Sequence, residues 1–479
     1  MRLKILSMRP FVWILSFILL SGFVFGITLK KENPNKDKLL LEIISYVLDR
    51  GHFDPKDIND VFSENVYMSY LENIDGQHRF FLKSDINAFN SYRYLIDDEI
   101  KNTQVEFFNL SFEKLMERMS QVEGFYKSLL ETPFDFSIKD EINLDFKKAS
   151  YANNLIELRA IWRKRLKLNA LERFTSKKDE EVQKLEKDAT YVMKTDNELE
   201  EKAREIISEN MDAFFERYND LNRKDWFSIY INSIVLQFDP HTSYLAPSDK
   251  DRFDASMSGE FEGIGARLQK RNQEVKIVEV ISGGPVWRDE LLEIGDIILK
   301  VAQPNKEAVD ISGMRLDDSI KLIKGPKGTQ VILTIKRVDG SIEDVKVTRD
   351  VVILEETYAR SSLITNDKES FGLIELPKFY INFQDYNQRN AATDVKKELE
   401  QLKQKNVKGI ILDLRNNGGG SLKTVVEMAG YFIREGPVVQ VKSTGGKKEV
   451  LKDIDPSIVW DGPLVILVNE FSASASEII

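Results

Sequence analysis

No cysteine occurs anywhere in the 479-residue chain. That excludes a disulfide framework, a thiolate zinc site, a cysteine nucleophile and a lipid-modified cysteine behind a leader segment. It leaves the compartment open, because a large domain stabilises itself without disulfides in any compartment. Histidine is nearly missing as well. His52, His78 and His241 are the whole complement, and no two stand at a metal-binding spacing such as H-x-x-x-H. No metal and no other cofactor is expected. An excess of positive charge is also lacking: the formal net charge is −10, so no global basic field draws nucleic acid, and no nucleic-acid partner is expected. Local basic stretches such as Arg163-Lys164-Arg165 are short, adjoin acidic stretches and read as a solvated helix face.

What is present is globular and modular. The apolar fraction of 42% is that of folded protein, and the length asks for two or three domains. Residues 11–25 are almost wholly apolar and follow Arg2, Lys4 and Arg9. That pattern reads as a secretory signal cleaved after Gly26, or as an uncleaved anchor followed by Lys30-Lys31. Either reading places the rest of the chain outside the cytoplasm, in the periplasm or on the outer face of the inner membrane. The anchor reading adds membrane association through the N-terminal segment. Residues 1–33 are therefore set apart.

Residues 34–238 read as a helical domain. Glycine and proline are sparse, and apolar residues recur at three and four, as in Leu40, Ile43, Ile44 and Val47. Pro55, Pro133 and Asp196-Asn197 are the expected breaks, and the aromatics Phe107, Phe108, Phe112, Phe125 and Tyr126 read as core. A connection at 239–255 opens on Asp239-Pro-His-Thr-Ser-Tyr-Leu-Ala-Pro247. From 256 to 349 short alternating strands with glycine turns suggest a small β-rich module with one or two short helices, Leu316 to Ile323 among them. From 350 to 479 strands and helices alternate as in an α/β layered core, with a long helix expected from Phe383 to Lys405 and another from Leu422 to Phe432. The whole is a multi-domain α+β protein.

Three loops could carry chemistry. Asp413-Leu-Arg-Asn-Asn-Gly-Gly-Gly420 lies between a buried strand and a helix. Its glycines let the backbone turn sharply and aim bare N–H groups outward, as a phosphate or a developing oxyanion requires. It is not a P-loop, since Ser421 follows directly and no G-K-[ST] is present. Phe471-Ser-Ala-Ser-Ala-Ser-Glu477 lies in a second strand-to-helix turn, where a serine can be exposed beside helix-terminal amides; a plain helix cap fits the same residues. Two such turns at the C-terminal ends of neighbouring strands would face each other. The third loop, Glu262-Gly-Ile-Gly-Ala-Arg-Leu268, could capture a peptide's terminal carboxylate and let the peptide add as a strand, or be an ordinary β-turn. His241 follows Asp-Pro in a turn, where a structural hydrogen bond is the commoner role than that of a base.

These stretches resemble the tail-specific proteases, or C-terminal processing peptidases, in particular their long members with helical N-terminal regions. The matching motifs run in family order: the Asp239-Pro-His stretch, Glu262-Gly-Ile-Gly-Ala266, Gly283-Gly-Pro285, Arg315-Leu-Asp-Asp318, Ile323-Lys-Gly-Pro-Lys-Gly328, the Asp413 motif and the Ser-Ala-Ser-Ala-Ser run. The helical region resembles the family more loosely, at Tyr70-Leu-Glu-Asn-Ile-Asp75. The resemblance implies a PDZ module over 256–349 and a crotonase-like serine peptidase core over 350–479, incomplete at its C-terminal side. It implies Ser474 as nucleophile, backbone N–H groups of Gly419, Gly420 and Ala475 as the oxyanion hole, and Glu477 in a supporting role. It implies that Gly263, Ile264, Gly265 and Ala266 bind the free C-terminus of a substrate with apolar last residues. The family's base is a lysine, expected here beyond Ile479, so the chain as given is expected to be inactive. The rival expectations are a non-catalytic exported PDZ scaffold or chaperone that binds protein C-termini, and a serine peptidase with His241 as base. The motifs name no adaptor.

Overall fold

A computed structural model of the protein describes residues 34–366 and 368–479; the apolar segment of residues 11–25 lies outside them. Among the described residues, no helix is long and apolar enough to cross a membrane.

The first part is all helix: α1 (Pro34–Gly51), α2 (Asp60–Asp75), α3 (Lys83–Phe89), α4 (Ile96–Lys101), α5 (Glu106–Leu130), α6 (Leu155–Lys187), α7 (Asp196–Asn219) and α8 (Arg223–Val235). Side-chain caps set the starts. Asn154 accepts the Glu157 N–H to open α6, and Thr195 accepts the Glu198 N–H to open α7, each satisfying an N–H that the helix cannot. The expected break at Asp196-Asn197 thus falls just before Asp196, which is already helical. The core is aromatic: Phe107 and Phe108 are fully buried, Tyr126 nearly so, and Phe112 and Phe125 pack against them. The basic run is not uniformly solvated. Arg165 donates to the Gln77 carbonyl, lies over the Phe146 ring at 4.8 Å, and is pulled down to a pKa of about 10 by burial. A guanidinium stem that packs on an aromatic is a part of the fold and not only a charge.

α9 (Pro247–Ser258) leads into the β-rich module. There β2 (Ala266–Arg271), β3 (Glu274–Val280), β4 (Ile297–Ala302), β6 (Gln330–Lys336) and β7 (Ile342–Thr348) pair in that order, with β5 (Val309–Asp310) beside β4. The short helices α10 (Pro285–Arg288) and α11 (Leu316–Ile323) complete it. β2 is an edge strand. A two-stranded ribbon, β1 (Glu260–Gly263) antiparallel to β8 (Asp350–Ile353), carries the chain in and out.

The last part holds a four-stranded sheet in the order β14 (Leu464–Leu467), β11 (Ile410–Asp413), β10 (Ser370–Glu375), β9 (Arg360–Thr365). β10, β11 and β14 are parallel and β9 is antiparallel. α12 (Ala391–Gln404) covers the sheet with Val395, Leu399 and Leu402 fully buried, and α13 (Leu422–Ala429) adds Val425 and Met428. α12 is shorter than its apolar pattern suggests. Asn390 accepts the Thr393 N–H at 3.0 Å, and Asn382 accepts the Gln384 and Asp385 N–H groups in a turn of its own. These side chains offer the backbone a non-helical alternative over 383–390. α13 likewise ends three residues early, in tight turns closed by Tyr431 and Phe432 N–H bonds. A hairpin of β12 (Gly436–Lys442) and β13 (Lys448–Asp453) reaches back to the helical part, where Thr444 Oγ1 donates to the Gly51 carbonyl at 2.8 Å.

Candidate active site and peptide groove

The parallel strands β10, β11 and β14 end at one edge of the sheet, and the two glycine- and serine-rich turns both leave from that edge. This is where open α/β sheets place their sites. The turns touch. A Cβ on Gly419 would lie 2.7 Å from Ser474 Cβ and 3.1 Å from the Ala475 nitrogen, and the backbone there has φ +105°. Only glycine fits such an approach and such a dihedral. Gly420, at φ +145°, lies against the neighbouring chain: a Cβ would sit 2.3 Å from the Phe379 carbonyl oxygen. Phe379 locks the turn in place by donating its N–H to Gly419 O and accepting from Ser421 N, both at 2.9 Å.

Ser474 itself has φ 56° and ψ −114°, a sparsely populated conformation for a residue with a Cβ. It is exposed and opens α14 (Ala475–Ile478). Its own N–H is taken by Glu477 Oε2 at 2.7 Å, so Glu477 holds the strained turn in shape. The flanking serines face inward. Ser472 Oγ donates to Leu414 O at 2.8 Å, and the buried Ser476 Oγ donates to Asn417 O at 2.8 Å.

The backbone donors of the two turns differ in availability. The Gly419 N–H is already bonded to Asn417 Oδ1 at 2.9 Å. The N–H groups of Gly420 and Ala475 have no protein partner among the described residues. Of the three expected donors, two are open and one is engaged within the turn.

Asn417 is a residue that sequence reasoning passed over. It is fully buried, and its side chain bridges the end of β10 to the glycine turn: Nδ2 donates to Leu376 O at 2.8 Å while Oδ1 accepts from Gly419. Its carbonyl accepts both the Ala473 N–H, at 3.1 Å, and the Ser476 hydroxyl. One asparagine therefore ties three strand-end loops together. Nothing in its spacing sets it apart from its neighbour Asn416, which pairs instead with Asn469 through the Asn416 N–H and both side chains, each bond at 2.9 Å. Arg415 beside Asp413 completes the turn and holds that carboxyl below its usual range.

His241 makes no hydrogen bond to Ser474. Its backbone N–H and ring face Asp239, and its side chain is 92% exposed. Asp239 also binds His52 Nε2 at 2.6 Å and the Thr242 N–H and hydroxyl, so this turn pins α1 to the start of the connection. Among the described residues no group of three or more His, Asp or Glu side chains is placed to hold a metal ion.

The loop Gly263–Ala266 stands at the head of a second feature. Gly265, at φ +84°, packs so closely on Gly284 that a Cβ would lie 3.0 Å from its Cα. Ile264 O and Gly265 O accept from Val286 and Ile281, which leaves the Ile264 and Gly265 N–H groups without a protein partner among the described residues. Below the loop, the free edge of β2 and the helix α11 flank a cavity of about 610 Å³. Phe261, Ile264, Leu268, Ile281, Ile320 and Ile323 make it apolar, and Pro377 and Lys378 of the sheet domain close one side. An edge strand, an apolar slot and a bare N–H loop are the parts needed to receive an extended peptide by its C-terminus.

Comparison with known proteins agrees with this architecture. Residues 44–248 match the family model for the tail specific protease N-terminal domain, 254–336 the PDZ domain, and 370–479 peptidase family S41. The chain is 31% identical over 434 residues to the tail-specific protease of Haemophilus influenzae, covering 90% of this chain and 58% of that protein. It is 32% identical over 241 residues to the carboxy-terminal processing protease CtpA of Bacillus subtilis, covering 50% of this chain and 47% of that one. Among solved structures, the PDZ domain of a carboxy-terminal protease from Vibrio cholerae in complex with peptide is 39% identical, with 19% of this chain and 97% of that chain covered and a TM-score of 0.19. The photosystem II D1 C-terminal processing protease is 22% identical, with coverages of 54% and 67% and a TM-score of 0.27. The chain thus spans about half the length of the curated relatives it matches. With a helical N-terminal region, a PDZ domain and an S41 peptidase core in that order, it is similar in organisation to the tail-specific proteases.

Proposed function

We propose that this protein is an exported serine endopeptidase that takes hold of the apolar free C-terminus of other proteins in its PDZ groove and hydrolyses peptide bonds at Ser474. The observation that carries the reading is the contact between the two strand-end turns, in which Gly419 lies against the strained Ser474 while the Gly420 and Ala475 N–H groups stay open. Two donors fixed beside a nucleophile are what a tetrahedral acyl-transfer intermediate needs, and they require no reorganisation when charge develops.

In this reading Ser474 Oγ gives its proton to a base as it bonds to the scissile carbonyl carbon. The carbonyl oxygen becomes an oxyanion facing the Gly420 and Ala475 N–H groups. Collapse breaks the C–N bond, the base returns the proton to the departing amine, and water then resolves the ester. The Glu477 bond to the Ser474 N–H keeps the turn in the conformation that exposes the hydroxyl. The base is a lysine, as the family resemblance implies; desolvation disfavours its charged form and makes it basic enough to act near neutrality. No lysine among the described residues bonds the Ser474 hydroxyl. The N-terminal apolar segment supports export, to the periplasm or the outer face of the inner membrane.

The test uses the whole protein and an unfolded substrate ending in apolar residues. Ser474→Ala should abolish cleavage while leaving tail binding in place, and undiminished cleavage would falsify the assignment. Loss of binding on amidating the substrate's C-terminus tests the groove separately. His241→Ala should retain cleavage.

A further inference from the structure

The apolar groove is not electrically neutral. Four cations line it, and two of them are neutralised by the protein itself: Arg252 by Asp249 and Asp317, Arg267 by Glu279 and, at 3.9 Å, Glu356. The other two are Lys324 and Lys378, and neither has a carboxylate within ion-pair distance among the described residues. Lys324 caps the C-terminal end of α11, with its stem against Gly263 of the carboxylate loop and its ammonium 4.8 Å from the Phe261 ring centroid. Lys378 comes from the other side, from the sheet domain just past β10. Its ammonium rests on Ser256, donating to Oγ at 2.8 Å and to the carbonyl at 3.1 Å. Both side chains are half-buried, and burial draws both ammonium groups below the usual lysine pKa. Asp251 partly offsets the Lys324 charge from beyond ion-pair distance, whereas among the described residues no carboxylate acts on Lys378. A half-buried charge without a counter-ion is costly to keep, and an anionic ligand would relieve it.

A bound tail has one obligatory anion, its terminal carboxylate, and the loop N–H groups with Lys324 beside them account for it. Lys378 is then left over. We propose that Lys378 reads a second negative charge, the side chain of an Asp or Glu just upstream of the tail's apolar last residue, so that the preferred substrates end in an acidic residue followed by apolar ones. The inference rests on tail binding by the groove. It places part of the sequence selectivity on a residue of the sheet domain instead of on the PDZ domain, and the discriminating contact replaces the bonds that Lys378 makes to Ser256.

Binding of fluorescein-labelled ten-residue peptides ending in valine, followed by anisotropy on the whole protein, tests it. Paired peptides carry Asp or Asn at one of the three positions before the last. For at least one position the Asp peptide should bind about ten-fold more tightly than its Asn twin at low salt, and the preference should shrink as salt is raised. Lys378→Met should reduce the preference below two-fold, whereas Lys378→Arg should keep it. Equal binding of the twins at all three positions overturns the proposal. So does a preference that survives Lys378→Met, or a Lys378→Met protein that binds neither twin, since the lysine would then serve the groove as a whole. A valine-amide peptide keeps the two readings apart. If it binds as well as the free acid, tail recognition itself fails; if the free acid is required and the twins are equal, only the role of Lys378 does.

Discussion

Removing the Asn417 side chain should uncouple the glycine turn from the serine turn without touching the groove. In Asn417→Ala the Leu376 carbonyl loses its donor and the Gly419 N–H loses its acceptor. Both sit at a fully buried residue, where an unsatisfied polar group costs on the order of 1–3 kcal/mol. The two losses share one cavity and are not additive, so about 3 kcal/mol is expected locally. The chain is multi-domain, so a single melting temperature is not a clean measure; hydrogen exchange resolved over residues 370–479 is. Amides of the strand ends and of the two turns should exchange about a hundred-fold faster. Turnover of a Ser474-dependent substrate should fall by a similar factor, because a displaced glycine turn takes an oxyanion donor with it, and one such donor is worth about 10²–10³ in rate. Affinity for a tail peptide should be unchanged. Asn417→Asp, which keeps the acceptor for Gly419 but sets a carboxylate oxygen against Leu376 O, should lose at least as much. Wild-type exchange and wild-type turnover in Asn417→Ala would refute the idea that this residue holds the turns together.

Three further outcomes follow from particular contacts. Gly419→Ala forces a Cβ to within 2.7 Å of Ser474 Cβ and 2.9 Å of the Ala473 carbonyl oxygen at φ +105°; cleavage should drop at least a hundred-fold, and a crystal structure of the variant should show the serine turn displaced. Glu99 is buried beside the Phe107 N–H, and burial lifts its carboxyl to about 7. A raised acid pKa means that the folded state binds the proton more tightly, so its contribution falls as pH climbs from the unfolded value near 4.3 through 7; Glu99→Gln should gain about 2–3 kcal/mol at pH 8 and almost nothing at pH 4 in denaturant titrations. Asp239 shows the opposite sign. His52, Thr242 and the His241 N–H hold its carboxyl far below the usual range, so its support is full at neutral pH and is lost as pH falls through about 4 and below. In Asp239→Asn, acid unfolding of the helical part, followed by circular dichroism, should become less steep.

The order of modules was open to the sequence because each carries its own local signal. Sparse glycine and apolar residues at three and four mark the helices; glycine turns between β-branched runs mark the PDZ strands; buried strands followed by small-residue turns mark the α/β core. The register of Leu316–Ile323 as a helix and the burial of Val395, Leu399 and Leu402 follow from periodicity alone. Boundaries were less legible, as at α12, where Asn382 and Asn390 redirect the backbone over eight residues that an apolar pattern assigns to helix. The charge of Arg165 was visible but its burial was not, because Phe146 and Gln77 come from elsewhere in the chain.

By itself, then, the sequence determined the class of protein and the loops on which its chemistry would depend, since glycines, small residues and clustered serines at strand ends are local choices. The tertiary structure decided what those loops do to one another. Pairing of β10, β11 and β14 brings residues near 376, 419 and 474 to one sheet edge; that juxtaposition makes Gly419 irreplaceable and strains Ser474, and it gives Asn417 three loops to hold. It also sets Lys378 of one domain in the groove of another. Contacts between residues tens to hundreds of positions apart depend on strand order and domain packing, which no local pattern encodes.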